Sequence, residues 1–249
     1  MPSVTAVVAA AGSGERLGAG GPKAFVPVAG RPLVEWSLEA FRQAEDVRSI
    51  VVACPPGRVD DVRALGSGGV DLVAVDGGAT RSQSVRNALA AVETEVVAIH
   101  DAARPLVTAE LVEAVVATLV ADPKAAGAIA ATPVVDTIKR ASAHVSSPDD
   151  RRLWSSPTYS EVKSTVSVRE TVDRAELWAA QTPQAFRTAA LREALEAYPE
   201  DGPEPTDEAM LVEAAGGRVL LHRAPGENLK VTTPFDLQVV ELLLSDRAR

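Results

Sequence analysis

The first dozen or so residues constrain the fold more than any other stretch. Val4–Ala9 is a β-branched run that ends in Ala10-Ala11-Gly12-Ser13-Gly14. A buried strand followed at once by a glycine-rich loop belongs at the carboxyl edge of a parallel sheet. The rest of the chain repeats the theme. Strands are expected at 49–54, 71–75, 96–99, 126–131 and 218–222. Helices are expected at 32–44, 82–91, 108–120, 188–198, 206–215 and 234–244, with Pro32 opening the first. Thr108 and Thr206 are placed as helix N-caps. Such alternation predicts an α/β fold with a mostly parallel sheet covered on both faces. The pattern breaks after Pro133. Residues 134–172 are polar and β-branched, and Val134–Ile138 with Ser164–Thr171 read as the two strands of a long arm. Ser146–Thr158 between them reads as an irregular, mobile tip.

Composition narrows the function. In 249 residues aromatics make up 4%, so Val, Ala and Leu must fill the core. The net charge of -9 gives no global basic field for nucleic acid. A small anion needs only a local gathering of cations. The single cysteine, Cys54, allows no intrachain disulfide, and the three histidines lack metal-ligand spacing. The first apolar run is too short to span a membrane and has no basic segment before it. These features predict a reduced, soluble, cytoplasmic protein with no membrane partner.

Three clusters carry chemistry. In the first, the loop Ala10–Gly14 is followed by Arg16 and by Pro22-Lys23. Successive N–H groups of a glycine-rich turn can cradle phosphate oxygens, and Arg16 and Lys23 supply charge to a triphosphate. A dinucleotide fingerprint fails because Leu17 stands where glycine is needed. A Walker loop fails because Lys23 is followed by Ala24 rather than Ser or Thr. Glycines alone fit an ordinary turn equally well; the spaced cations favour phosphate.

The second cluster is His100-Asp101-Ala102-Ala103-Arg104-Pro105, after an apolar strand. Asp101 sits where open α/β sheets bind ligands and could hold Mg²⁺ beside a triphosphate. A plain Asp101–Arg104 pair closing the loop fits the spacing as well. His100 reads as a packed core histidine rather than a base. In the third, Gly77-Gly78 precedes Ala79-Thr80-Arg81-Ser82-Gln83-Ser84. This is either a pocket for a nucleobase or a capped helix start. Shorter motifs stand at 136–140, 172–174, 205–208 and 227–232. Most read as solvated turns, but Lys230, in a strand-like stretch, is harder to dismiss.

These motifs, with Asp136-Thr137-Ile138-Lys139, Thr171-Val172-Asp173-Arg174, Gln181-Thr182-Pro183-Gln184, Thr206-Asp207-Glu208-Ala209 and Asn228-Leu229-Lys230-Val231-Thr232, closely resemble the 2-C-methyl-D-erythritol 4-phosphate cytidylyltransferase family. They occur in the family's order and cover nearly the whole chain. The related ribitol-5-phosphate cytidylyltransferases share much of the pattern. A nucleotide-binding module without catalysis would lack the phosphate cations, and they are present.

The resemblance implies a single Rossmann-like three-layer α/β/α nucleotidyltransferase domain with a protruding β-arm at 134–175. It implies Mg²⁺-dependent transfer of CMP from CTP to a polyol phosphate, in a homodimer joined through the arm. Arg16, Lys23 and Lys230 would be catalytic. Ala10, Ala11, Gly12, Ser13, Gly14, Gly78, Ser84, Asp101 and Ala102 would hold the nucleotide. Asp101, Arg104, Thr137, Arg174, Thr206 and Lys230 would hold the polyol phosphate, and Asp101 would lie at the metal. Two departures stand out. Ala79 replaces a residue that is often polar in the family, and residues about 142–168 read as an insertion in the arm.

Overall fold

The computed structural model describes residues 2–14, 17, 21–142, 167–199 and 202–247. Arg16 and the expected mobile tip, Ser146–Thr158, lie outside the described residues, as does most of the expected insertion. Packing divides the chain into two units, Met1–Thr132 with Ala180–Arg249, and Pro133–Ala179.

Along the chain come β1 (Val4–Ala9), the short hairpin β2 (Pro27–Val28) and β3 (Arg31–Pro32), α1 (Leu33–Gln43), β4 (Val47–Cys54) and α2 (Val59–Ala64). Then follow β5 (Asp71–Asp76), α3 (Arg81–Leu89), β6 (Val96–Asp101), α4 (Ala109–Ala121) and β7 (Ala125–Pro133). The chain continues with β8 (Lys139–Ala141), β9 (Val168–Thr171), β10 (Trp178–Arg187), α5 (Thr188–Ala197), α6 (Glu208–Ala214), β11 (Arg218–Arg223) and α7 (Pro234–Arg247). Seven strands form one sheet in the order β11-β7-β10-β6-β1-β4-β5. β1 runs parallel to both β4 and β6, β4 to β5, and β11 to β7; β10 runs antiparallel to β6.

Side chains on a strand alternate between faces, and here both faces are apolar. Val4, Ala6 and Val8 join Val34, Leu38 and Phe41 of α1 and Leu111, Val115 and Leu119 of α4. Val7 joins Val85 and Leu89 of α3, Leu191 of α5 and Leu211 of α6. The result is the expected three-layer α/β/α arrangement. Among the described residues no helix is long and apolar enough to cross a membrane.

Register places the functional loops at one edge. Ala9 stands opposite both Ala53 and Asp101, and Cys54 opposite Asp76. The chain therefore leaves β1, β5 and β6 at the same end of the sheet. Asp101 is the last residue of β6 rather than the start of a loop.

Several local expectations are corrected. The antiparallel strand β10 is absent from the pattern reading, because Pro183 and two glutamines interrupt its apolar run. Helix α2 after Pro55-Pro56 is likewise absent from it. Lys230 lies in a loop, not a strand; the loop's Val231 N–H donates to the Ala103 carbonyl (2.8 Å). The cap of α6 is Asp207, not Thr206. Its carboxylate accepts from the Met210 N–H (3.0 Å) with one oxygen and from Gln184 Nε2 (2.9 Å) with the other. A carboxylate meets two donors from different directions, one on each oxygen.

In the second unit, β8 pairs antiparallel with β9, Lys139 opposite Thr171. Val134–Ile138 makes isolated bonds instead of the expected strand, since the facing chain turns at Arg174–Leu177. Val134 N–H donates to Leu177 O, and Ile138 O accepts from Val172 N–H. Thr137 and Arg174 are both exposed, and the Arg174 guanidinium donates to the Val135 carbonyl.

Packing between β7 and β10 depends on Gly127. A Cβ there would come within 2.5 Å of the fully buried Phe186 ring. Gly127→Ala is expected to lower the unfolding free energy by about 1–3 kcal/mol through overpacking, and Phe186→Leu in that background to recover part of it. Urea unfolding followed by circular dichroism measures both.

Candidate active site

Two glycines make the carboxyl edge a usable cleft. Gly14 has a φ of 74°, and a Cβ on it would sit 2.9 Å from Lys23 Cβ. The loop after β1 can therefore close onto the short 3-10 turn Lys23–Phe25, whose Lys23 N–H donates to Gly12 O (3.2 Å). Gly77 allows the second approach, since a Cβ there would meet Ala11 Cβ at 2.4 Å. Beyond it, Thr80 caps α3 by accepting from the Gln83 N–H. Gln83 Oε1 takes the Ala79 N–H (2.9 Å), and Ser84 Oγ accepts from the Gly78 N–H (3.0 Å) and donates to Thr80 O (2.9 Å).

These loops enclose a cleft of about 410 Å³. Its walls include Ala10, Ala11, Gly12, Ser13, Lys23, Gly78, Ser84, Asp101, Ala102 and Lys230, together with Ala79, Thr80 and Arg81. Ten of the residues to which the resemblance assigns a catalytic or binding role thus converge. Gly14 braces the loop against Lys23. Arg104 is half-buried, its Nη1 donating to Asn228 O (2.8 Å). Thr206 is exposed and does not line the cleft. Arg16 lies outside the described residues, and Thr137 and Arg174 belong to the second unit.

Charge is organised around Asp101. Its Oδ1 accepts from Arg81 Nε (3.0 Å) and its Oδ2 from Lys230 Nζ (2.6 Å). Arg81 Nη1 in turn donates to both oxygens of Glu208 (2.7 and 2.8 Å), a side chain with no exposure at all. Burial pushes the Asp101 carboxyl up, but Arg81 and Lys230 outweigh it and hold the group well below the usual carboxylate range. Burial also opposes the charge on Arg81; Glu208 and Asp101 outweigh that and keep it firmly protonated, while burial raises the Glu208 carboxyl against the downward pull of Arg81. The side-chain pair Asp101–Arg104 considered from spacing does not form. Only their backbones meet, Arg104 N–H to Asp101 O (2.9 Å).

Behind Asp101 lies a buried polar core. His100 is fully buried and packs edge-on against Phe41. Its Nε2 faces the Arg104 carbonyl (3.2 Å), which only accepts, so Nε2 carries the proton. Its Nδ1 then accepts from the Thr182 hydroxyl (3.0 Å), which itself accepts from the Asp101 N–H (3.1 Å). Asn228 Nδ2 donates to Gln181 Oε1 (2.9 Å) and Thr182 O (2.8 Å). Burial lowers the His100 pKa to about 3, so His100 is a neutral structural residue, as the sequence reading had it.

Arg81, Glu208, Thr182 and Asn228 stand in the motifs quoted from the sequence but were given no role at the site.

A glycine-rich loop, an ionised carboxylate and converging lysines at the carboxyl edge of a mostly parallel sheet are the features of a nucleotidyltransferase. The family model for 2-C-methyl-D-erythritol 4-phosphate cytidylyltransferase matches residues 4–162 and 155–246. The chain is 41% identical over 244 residues to the 2-C-methyl-D-erythritol 4-phosphate cytidylyltransferase of Synechococcus sp. strain CC9902, covering 97% of each. It is 42% identical over 246 residues to that of Frankia casuarinae, covering 98% of this chain and 82% of the relative. The crystal structure of 2-C-methyl-D-erythritol 4-phosphate cytidylyltransferase from Thermus thermophilus is similar with a TM-score of 0.71 at 34% identity, covering 98% of this chain and 99% of that one. The chain belongs to the 2-C-methyl-D-erythritol 4-phosphate cytidylyltransferase family.

The neutral His100 has a stability consequence. Its pKa falls from 6.5 to about 3 on folding, so the unfolded chain takes up its proton first. Stability is therefore full above pH 6.5 and declines as pH drops toward 3. In His100→Gln the unfolding free energy between pH 7 and 4 is expected to vary less steeply, by about one proton's worth of slope. Urea titrations at several pH values read this directly.

Proposed function

We propose that the chain transfers CMP from CTP to 2-C-methyl-D-erythritol 4-phosphate and releases pyrophosphate, a step of non-mevalonate isoprenoid synthesis. The carrying observation is the convergence of the loop Ala10–Ser13, Lys23, Asp101 and Lys230 on one cleft, in a chain of this family. A phosphate oxygen of the alcohol phosphate attacks the α-phosphorus of CTP. The bond from that phosphorus to the β-phosphate bridging oxygen breaks, and pyrophosphate leaves in line. The attacking oxygen is already ionised, so no base is needed. Catalysis reduces to positioning and charge neutralisation.

Backbone N–H groups of Ala10–Gly14 cradle the triphosphate, with Arg16 and Lys23 neutralising it. Lys230 leaves Asp101 for the reacting phosphate, and Asp101 and Arg104 hold the alcohol phosphate side. Backbone at Gly78 and the Ser84 hydroxyl read cytosine. Ala79 adds no side-chain contact. Thr206 remains a candidate for the alcohol phosphate.

Mg²⁺ fits this cleft as a phosphate-borne ion. Asp101 is the acidic residue on its wall and is ionised. Among the described residues no group of three or more His, Cys, Asp or Glu could hold a metal. Asp101 would therefore hold the ion with phosphate oxygens and water completing its shell. Bound there, Mg²⁺ neutralises charge on the phosphates.

We further propose a homodimer joined through Pro133–Ala179, in which Thr137 and Arg174 serve the partner's alcohol phosphate. The exposure of both residues supports this reading. The single cysteine, which allows no intrachain disulfide, supports a reducing, cytoplasmic location.

The test is pyrophosphate release from CTP and Mg²⁺, with methylerythritol phosphate against ribitol 5-phosphate. Turnover with ribitol 5-phosphate alone overturns the substrate. Lys23→Ala is expected to lower kcat by about 100-fold or more with its melting temperature retained. Arg174→Ala is expected to raise KM for the alcohol phosphate about tenfold with KM for CTP little changed. Equal effects on both would remove the arm from that role.

A further inference from the structure

Glu208 does not line the cleft, yet its carboxylate lies at the end of a chain of alternating charges that reaches it. The order is Glu208, Arg81, Asp101, Lys230, each joined to the next by a hydrogen bond between 2.6 and 3.0 Å. Arg81 forms part of the cleft wall and keeps a quarter of its side chain exposed. A guanidinium beside a triphosphate is a strong planar ligand for it. Here two of its three nitrogens are already engaged. Nη1 is bound by both oxygens of a carboxylate with zero exposure, and Nε by Asp101. Water competes poorly for such a desolvated pair, so breaking it is costly.

We infer that Glu208 is a positioning residue: its buried charge holds Arg81 on Asp101 and keeps it off the bound triphosphate. The inference rests on the reading of the cleft as a CTP site. Two consequences follow. First, Asp101 keeps one fixed partner when Lys230 leaves it, so its carboxylate does not swing as substrate arrives. Second, Arg81 does not clamp the ground-state nucleotide. A clamp made equally in ground and transition states tightens binding without speeding the chemical step. Glu208 thus exchanges affinity for a defined Asp101.

Glu208→Gln keeps the shape and removes the charge. Arg81 is then free to turn toward phosphate, so CTP should bind about three- to tenfold more tightly, measured by isothermal titration with Mg²⁺ present. In the same protein kcat should fall about tenfold or more, because Asp101 loses its fixed partner. Glu208→Asp, which retains the charge, should move both values back toward the parent. A merely structural lesion lowers the active fraction and does not tighten CTP. Unchanged or weaker CTP binding in Glu208→Gln overturns the inference.

Should that variant fail to fold, Arg81→Gln with Glu208→Gln removes both charges of the buried pair at once. It should bind CTP within about twofold of the parent, since Arg81 is not a phosphate ligand. A tenfold loss in the double variant would make Arg81 a phosphate ligand and overturn the inference. Parent protein that binds no CTP overturns the site reading and this inference with it. Parent binding without tightening in Glu208→Gln overturns this inference alone.

Discussion

Asp101 must stay ionised while almost wholly removed from water, and much of the active-site half of the molecule can be read as the means to that end. An isolated buried carboxylate would take up a proton rather than bear the desolvation cost. Arg81 and Lys230 prevent this from opposite sides, one on each oxygen. They come from distant parts of the chain, the start of α3 and the loop before α7. Glu208, at the start of α6, holds the far end of Arg81. The fold therefore has to bring four segments to one sheet edge before the charge is tolerable. A parallel sheet does so because successive strands end on the same side.

The polar core behind Asp101 serves the same geometry by other means. The Thr182 hydroxyl links the Asp101 backbone to His100, and Asn228 links the Lys230 loop to β10. These groups are buried, so each missing partner would carry a desolvation cost. A neutral His100 meets that demand with one donor and one acceptor. Charging it would place a cation in the core. This is why the antiparallel strand β10, which contributes no residue to the cleft, matters to it: it carries Thr182 and Gln181 into the layer beneath.

The sequence was most legible where one physical rule dominates. β1 and its loop were readable because a β-branched apolar run stopped by glycines reads as a buried strand and its turn. Thr108 was placed correctly because a hydroxyl before an apolar helix has one obvious partner, the Leu111 N–H. Legibility failed where the deciding partner is far away in sequence. Thr206 was placed as the cap, but Asp207 takes that position, and its carboxylate is also bound by Gln184, 23 residues earlier. Asp101 and Arg104 looked like a pair until Arg81 and Asn228 took their side chains. β10 was hidden by Pro183 and polar residues whose burial depends on β6. In the arm, the strand moved from Val134–Ile138 to Lys139–Ala141 because pairing is decided by the facing chain, not by β-propensity.

A chain with net charge -9 that handles two anionic substrates raises the question of where attraction comes from. Net charge governs long-range steering, but at contact the local arrangement decides, because ions beyond about 8 Å are screened at physiological salt. In the cleft Lys23, Arg81 and Lys230 oppose Asp101, with Glu208 just behind. Before substrate arrives, Lys230 is stored against Asp101, which keeps the empty site close to electrically balanced. In the proposed reaction the incoming phosphates replace Asp101 as its partner. A cation placed beforehand in a partly dry site needs little reorganisation when charge develops at the α-phosphorus, and that is where such groups contribute most to rate.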